Sequence, residues 1–322
     1  MKKILYFSLT AMLILAVTLS GCGGGSGSSN PGGGGTTQYI FEDSWGSPGT
    51  EDGQFYGPHE VAVDAYGNVY VVDSGNNRIQ KFSATGTFLA QWGSQGSGDG
   101  QFNDPSGVAV DAYDNVYVVD SGNNRIQKFS ADRTFLKSWG SKGTGEGQFD
   151  VPGRVAVDAI GNVYVTDSGN NRIQKLSASG TFLAQWGSQG TGEEQFYNLT
   201  GIAVDAGDNV YVADGSNHRI QKFSATGTFL TKWGSYGTTG DGQFNFPRSV
   251  AVDTGGNVYV VDDEGNCIHK FNATGTFLTK WGSYGTGDGQ FNLPHGVAVD
   301  AGGNVYVADY NNCRIQKFKP VK

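Results

Sequence analysis

The sequence predicts an all-β chain. It is a six-bladed β-propeller of four-stranded antiparallel blades, closed by an N-terminal strand that completes the last blade. Three observations predict it. Trp45, Trp92, Trp139, Trp186, Trp233 and Trp281 are spaced 47 residues apart four times and 48 once. The aspartates that close each V-A-V-D (I-A-V-D in the fourth unit), at 64, 111, 158, 205, 253 and 300, keep the same period and the same single insertion. Between these marks, short β-branched and aromatic runs alternate with Gly, Asn and Asp turns, and no helical apolar period is seen. A period of this length belongs to a solenoid, a propeller or an array.

The chain opens with an address. Lys2 and Lys3 precede a mostly apolar run from Ile4 to Thr18, short for a membrane span but suited to a secretory leader. Leu19-Ser20-Gly21-Cys22 follows and resembles a bacterial lipobox. Residues 1–21 therefore read as a cleaved lipoprotein signal peptide, with Cys22 as the lipidation site. The Gly/Ser-rich segment 22–37 cannot bury a core and reads as a tether. The expected location is extracytoplasmic, lipid-anchored to the bacterial cell envelope.

Residues 38–322 form the repeated domain. The first unit contains Val61-Ala62-Val63, Asn68 to Asp73, Arg78 to Phe82 and Thr87 to Trp92, which are four strands of one blade. The V-A-V strand is apolar on both sides, as an innermost strand wedged between blades must be. The sixth unit stops at Phe318 without a T-F-L-x-x-W strand, and Tyr39 to Trp45 supplies that strand from the other end of the chain. Closure leaves no free edge.

Pro105-x-Gly107-Val-Ala-Val-Asp111, Asn115-Val-Tyr-Val-Val-Asp120 and Asn123-x-Arg125-Ile-Gln-Lys-Phe129 resemble the NHL repeat, and the resemblance covers residues 39 to 320. It implies a six-bladed propeller and no single activity, because function lives in sites grafted on the fold.

Composition narrows the function classes. Glycine supplies 52 of 322 residues with no Gly-X-Y period, so the chain is not collagen-like. Three cysteines are too few for a disulfide scaffold. Formal charge is −8, and removal of residues 1–21 takes two lysines and no acid, giving −10. Many of the remaining cations sit in the repeated R-I-Q-K pattern, so no nucleic-acid partner is expected. A closed ring demands no partner strand, so a monomer is expected.

Residues present in every unit are read as scaffold. Asp73, Asp120, Asp167, Asp214, Asp262 and Asp309 end the second strand, and Arg78, Arg125, Arg172, Arg219 and Arg314 open the third in five units. They are expected to brace a hairpin turn, since buried charges are normally paired. Asp64-x-x-Gly67-Asn68 and its copies read as turns, with too few oxygen ligands for a calcium loop.

The positions before the first strand differ between units: His59-Glu60, Ser106-Gly107, Gly153-Arg154, Thr200-Gly201, Arg248-Ser249 and His295-Gly296. They fall at the channel mouth, where His59 and His295 become neighbours on closure. His59, Glu60, Arg154, Arg248 and His295 are the candidate ligand-binding residues. The expected function is a binding module for a protein, peptide or glycan, held to the membrane by its anchor. The alternative is a metal-dependent lyase or hydrolase using the channel, since the resemblance extends to peptidyl-amidating lyases, which hold zinc with histidines, and to gluconolactonases. A third zinc ligand is missing at this rim, where Glu60 is the one acid, so neither a cofactor nor a catalytic residue is assigned, with zinc or calcium as the alternative. The plain reading of His59 and His295 is two solvent-exposed rim histidines. Cys267 and Cys313, on adjacent blades, are expected to lie too far apart for a disulfide.

Overall fold

The computed structural model describes residues 38–321. The leader, Cys22 and the rest of the tether lie outside the described residues. Six four-stranded antiparallel sheets are present, each in meander order. Blade 1 runs Pro58–Val63, Val69–Asp73, Arg78–Phe82 and Phe88–Trp92. Blades 2 to 5 repeat it from Pro105, Pro152, Leu199 and Pro247. Blade 6 takes Pro294–Val299, Val305–Asp309 and Arg314–Pro320 from the C-terminal end and Tyr39–Trp45 from the N-terminal end. That last pairing is antiparallel, from Tyr39 opposite Pro320 to Trp45 opposite Ile315.

The core lies between blades. Tyr70, Val72 and Ile79 of blade 1 pack on Phe102, Val108, Val116, Val118 and Phe129 of blade 2. Every second strand is buried along its whole length, on both faces. A single blade would expose these faces, which is why the ring and not the blade is the stable unit. At the seam, the Tyr39 ring stacks on Trp281 at 4.5 Å, and its hydroxyl lies 2.8 Å from that of Tyr259. The N-terminal strand therefore joins blade 5 to blade 6 through side chains as well as backbone.

The first strands of neighbouring blades contact one another around the axis. Their Val-Ala-Val segments, Ile202-Ala203-Val204 in blade 4, line an open throat of about 230 Å³. The turns behind the V-A-V-D aspartates form as expected: Asp64 accepts from the amides of Tyr66 and Asn68, with Gly67 at φ +82°. The hairpin bracket is also as expected. Asp73 accepts from Arg78 Nε at 2.7 Å, and the arginine's outer nitrogens reach the carbonyls of Thr50, Glu51 and Gln54 in the loop entering the blade. Cys267 and Cys313 are not joined by a disulfide.

Candidate functional site

Each first strand begins at one end of the channel, and the second strand ends there, as the pairing of Pro58 with Asp73 shows. Two positions per blade therefore face the mouth: the residues opening the first strand and the residue after the bracket aspartate. The first set was predicted. The second reads Ser74, Ser121, Ser168, Gly215, Asp263 and Tyr310. Its variation is visible in the repeat alignment and is the signal that sequence reasoning missed.

The predicted residues do come together. Glu60 of blade 1 and Arg154 of blade 3 form an ion pair across the channel. Ser249 of blade 5 donates to the same carboxylate at 3.3 Å. Arg154 also donates to the carbonyls of Ser106 at 2.6 Å and His59 at 3.3 Å. Glu60 and Arg154 are buried. Burial pushes the Glu60 carboxyl up and the Arg154 guanidinium down, and each charge opposes the other's shift.

Two expectations are corrected here. Glu60 is not the only acid at the mouth, because Asp263 enters from the turn after the second strand and pairs with Arg248. The histidines are not exposed rim residues: His295 is buried and His59 half-buried, because the mouth narrows and packs their rings together. Their centroids are 4.8 Å apart and nearly perpendicular, and Tyr310 stacks on His295 at 3.9 Å.

Both imidazoles are neutral at pH 7. Burial holds His59 and His295 far below the ordinary histidine range, and the nearby arginines add to it. Arg154 Nη1 lies 2.9 Å from His59 Nδ1. The Ser106 carbonyl oxygen lies at the same 2.9 Å, so Nδ1 faces one group that only donates and one that only accepts. His295 Nε2 is 3.8 Å from Asp263, beyond hydrogen-bond reach, and its buried Nδ1 has no hydrogen-bond partner.

Below these groups lies a cavity of about 210 Å³, lined by His59, Ser106, Arg154, Ser168, Thr200 and Arg248 among others. Its two arginines are held in ion pairs, and the exposed Asp104 carboxylate, which also lines it, accepts from Ser74 Oγ. What remains to a ligand is hydroxyl, carbonyl and neutral imidazole, with the Asp104 carboxylate. The donor set does not fit a resident metal at the mouth, since both carboxylates are engaged by arginines and His59 Nδ1 by Arg154 and the Ser106 carbonyl. The one group of three metal-ligating side chains that converges among the described residues lies elsewhere: Asp262, Cys267 and His269, all buried in blade 5.

A closed ring of six such blades, with residues that vary between blades at one channel mouth, defines a six-bladed propeller. The NHL-repeat pattern matches residues 55–82, 102–129, 149–176, 196–223, 244–271 and 291–318, and the chain belongs to the NHL-repeat family. No curated protein sequence matches it. Among solved structures, it is similar to a streptogramin B lyase at 17% identity and TM-score 0.60, covering 88% of this chain and 98% of that one. It is also similar to a gluconolactonase from Xanthomonas campestris, at 15% identity and TM-score 0.63, covering 84% and 88%. A third is a virginiamycin B lyase from Staphylococcus aureus, a catalytically inactive His-to-Ala variant with quinupristin, at 12% identity and TM-score 0.59, covering 88% and 99%. At these identities the likeness is one of fold.

Proposed function

We propose that the protein is a lipid-anchored, extracytoplasmic binding module whose channel mouth receives an uncharged polar group of a protein, peptide or glycan. The observation that carries this reading is the pairing of the buried mouth charges, Glu60 with Arg154 and Arg248 with Asp263, around a hydroxyl-lined cavity whose other charged lining residue, Asp104, is exposed and accepts from Ser74 Oγ. A charged ligand would have to displace a buried partner, whereas a neutral one needs only hydrogen bonds and ring contact. The cavity is smaller than a typical drug-sized pocket of about 300–1,000 Å³. It suits one side chain or one sugar rather than a whole cofactor. The test is a screen of the full chain against peptide and glycan arrays, with and without a chelator. Binding that survives chelation and is lost in Ser106→Val or His59→Ala supports the module. Binding unchanged in both variants places recognition elsewhere.

The second reading is a lyase or hydrolase, favoured by two neutral, touching histidines beside Asp263. A neutral imidazole has a ring nitrogen free to take a proton, but the burial that keeps these rings neutral also makes them weak bases. Quinupristin and a sugar lactone are the first probes, chosen from the neighbours in fold. Turnover lost in His295→Ala would move this reading ahead of the first.

A further inference from the structure

In five blades the chain itself neutralises the bracket aspartate. Asp73 Oδ2 accepts from Arg78 Nε at 2.7 Å, Gln80 Nε2 at 3.0 Å and Asn76 Nδ2 at 2.9 Å. The same three donors recur at Asp120, Asp167, Asp214 and Asp309. Blade 5 keeps the aspartate, which accepts from the backbone amides of Asn245, Phe246 and Gly265, and replaces all three side-chain donors together. Gly265 stands in place of the asparagine, Cys267 of the arginine and His269 of the glutamine. Asp262, Cys267 and His269 are each about 1% exposed.

The replacements converge. His269 Nε2 lies 3.3 Å from Cys267 Sγ and 3.8 Å from Asp262 Oδ2, and the three ligand atoms lie within 4.8 Å of one another. A tetrahedral zinc with bonds of about 2.0–2.3 Å sets its ligand atoms about 3.3–3.6 Å apart. The other ring nitrogen, His269 Nδ1, is buried without a hydrogen-bond partner, so of the two nitrogens only Nε2, at Cys267 Sγ, is engaged.

A third departure falls in the same place. Ten residues separate tryptophan from loop phenylalanine elsewhere, as from Trp92 to Phe102, but eleven separate Trp233 from Phe244. The one insertion in the array thus lies in the loop entering blade 5. In blade 1 the equivalent loop receives the arginine's outer nitrogens. The loop was altered where the arginine was lost.

We propose that Asp262, Cys267 and His269 form a metal site that takes zinc, or a divalent cation of like softness, where the other blades use a guanidinium. The charges balance. Carboxylate and thiolate oppose two positive charges, as one carboxylate opposes one guanidinium elsewhere. Binding releases the thiol proton to solvent. A sulfur, nitrogen and oxygen donor set selects zinc over calcium or magnesium, which take oxygen. The site is separate from the channel mouth and does not depend on the reading given to it.

The test is zinc content of the full chain, purified under reductant and dialysed against zinc and then buffer. One zinc per chain is expected. The double variant Cys267→Arg/His269→Gln, which rebuilds two of the three donors, should fold by its melting curve and hold none. The variant His59→Ala/His295→Ala should still hold one. Cobalt in place of zinc should give a thiolate-to-metal charge-transfer band that disappears in Cys267→Ser, which keeps the test decisive if the double variant does not fold. Wild-type protein without zinc, or zinc retained by Cys267→Arg/His269→Gln, would overturn the proposal.

Discussion

The hairpin bracket and the channel mouth both bury charged groups, but they join them differently. In the bracket, Asp73 and Arg78 are five residues apart on one hairpin, and the arrangement is copied through the ring. At the mouth, Glu60 and Arg154 are far apart in sequence and meet across the axis, once. A local, repeated pair stabilises a turn and needs only its own blade. A unique pair between distant blades needs the whole ring to be closed, and a sequence gains nothing for the fold by varying such positions. The difference separates what builds the propeller from what the propeller presents.

The largest expected effect comes from breaking closure. Deleting Tyr39–Trp45 removes the fourth strand of blade 6 and the Tyr39–Trp281 stack at once. The expected result is loss of the cooperative melt, checked by calorimetry. A ring that still melts cooperatively would mean that the blade interfaces hold without the seam.

Next in size is the bracket. Asp120→Ala leaves Arg125 and Gln127 without their shared carboxylate, and breaking a buried pair from one side costs about 3–5 kcal/mol. At the mouth, Arg154→Met should cost a similar amount by leaving Glu60 buried and unpaired. Adding Glu60→Gln should recover most of it, because the second change removes the orphaned charge. Denaturant titration of the single and double variants measures the coupling. Additive losses would mean that the pair does not act as a unit.

A smaller effect distinguishes blade 5 in metal-free protein. With its arginine replaced, burial raises the Asp262 carboxyl to about 6 from an ordinary 3.8. Its folded-state proton is held more tightly than its unfolded one. The contribution is therefore most favourable below about pH 4 and is lost as pH rises to about 6, by on the order of 2–3 kcal/mol. Cys267→Arg/His269→Gln should flatten that slope and raise the melting temperature at pH 7. An unchanged slope would place its origin in other groups.

The fold was legible because the signal repeats six times. Period, turn residues and the displaced T-F-L-x-x-W strand fix blade number and closure together, and the structure follows them. The mouth was legible in part. His59, Glu60, Arg154, Arg248 and His295 were found by differing between units, and they do converge. Asp263 and Tyr310 were missed because they lie beyond the second strand, and only the pairing of Pro58 with Asp73 and its copies brings that turn to the same end of the channel. Burial of His295 was equally invisible, since it depends on how far the axis closes. Cys267 and His269 stood out from the R-I-Q-K pattern, but their convergence on Asp262 requires strand register, which places Asp262 opposite Cys267.

The central claim is that the non-repeated mouth carries recognition while the repeated frame carries stability. The most direct measurement compares wild-type protein with His59→Ser/Glu60→Gly/Arg154→Ser, which puts small residues of the kind found in blades 2 and 4 at the mouth and removes both halves of the ion pair. Thermal melting and array binding are read on the same preparations of the full chain. The account predicts a variant that melts cooperatively within a few degrees of wild type and binds no ligand that wild type binds. Full binding by a folded variant would contradict it.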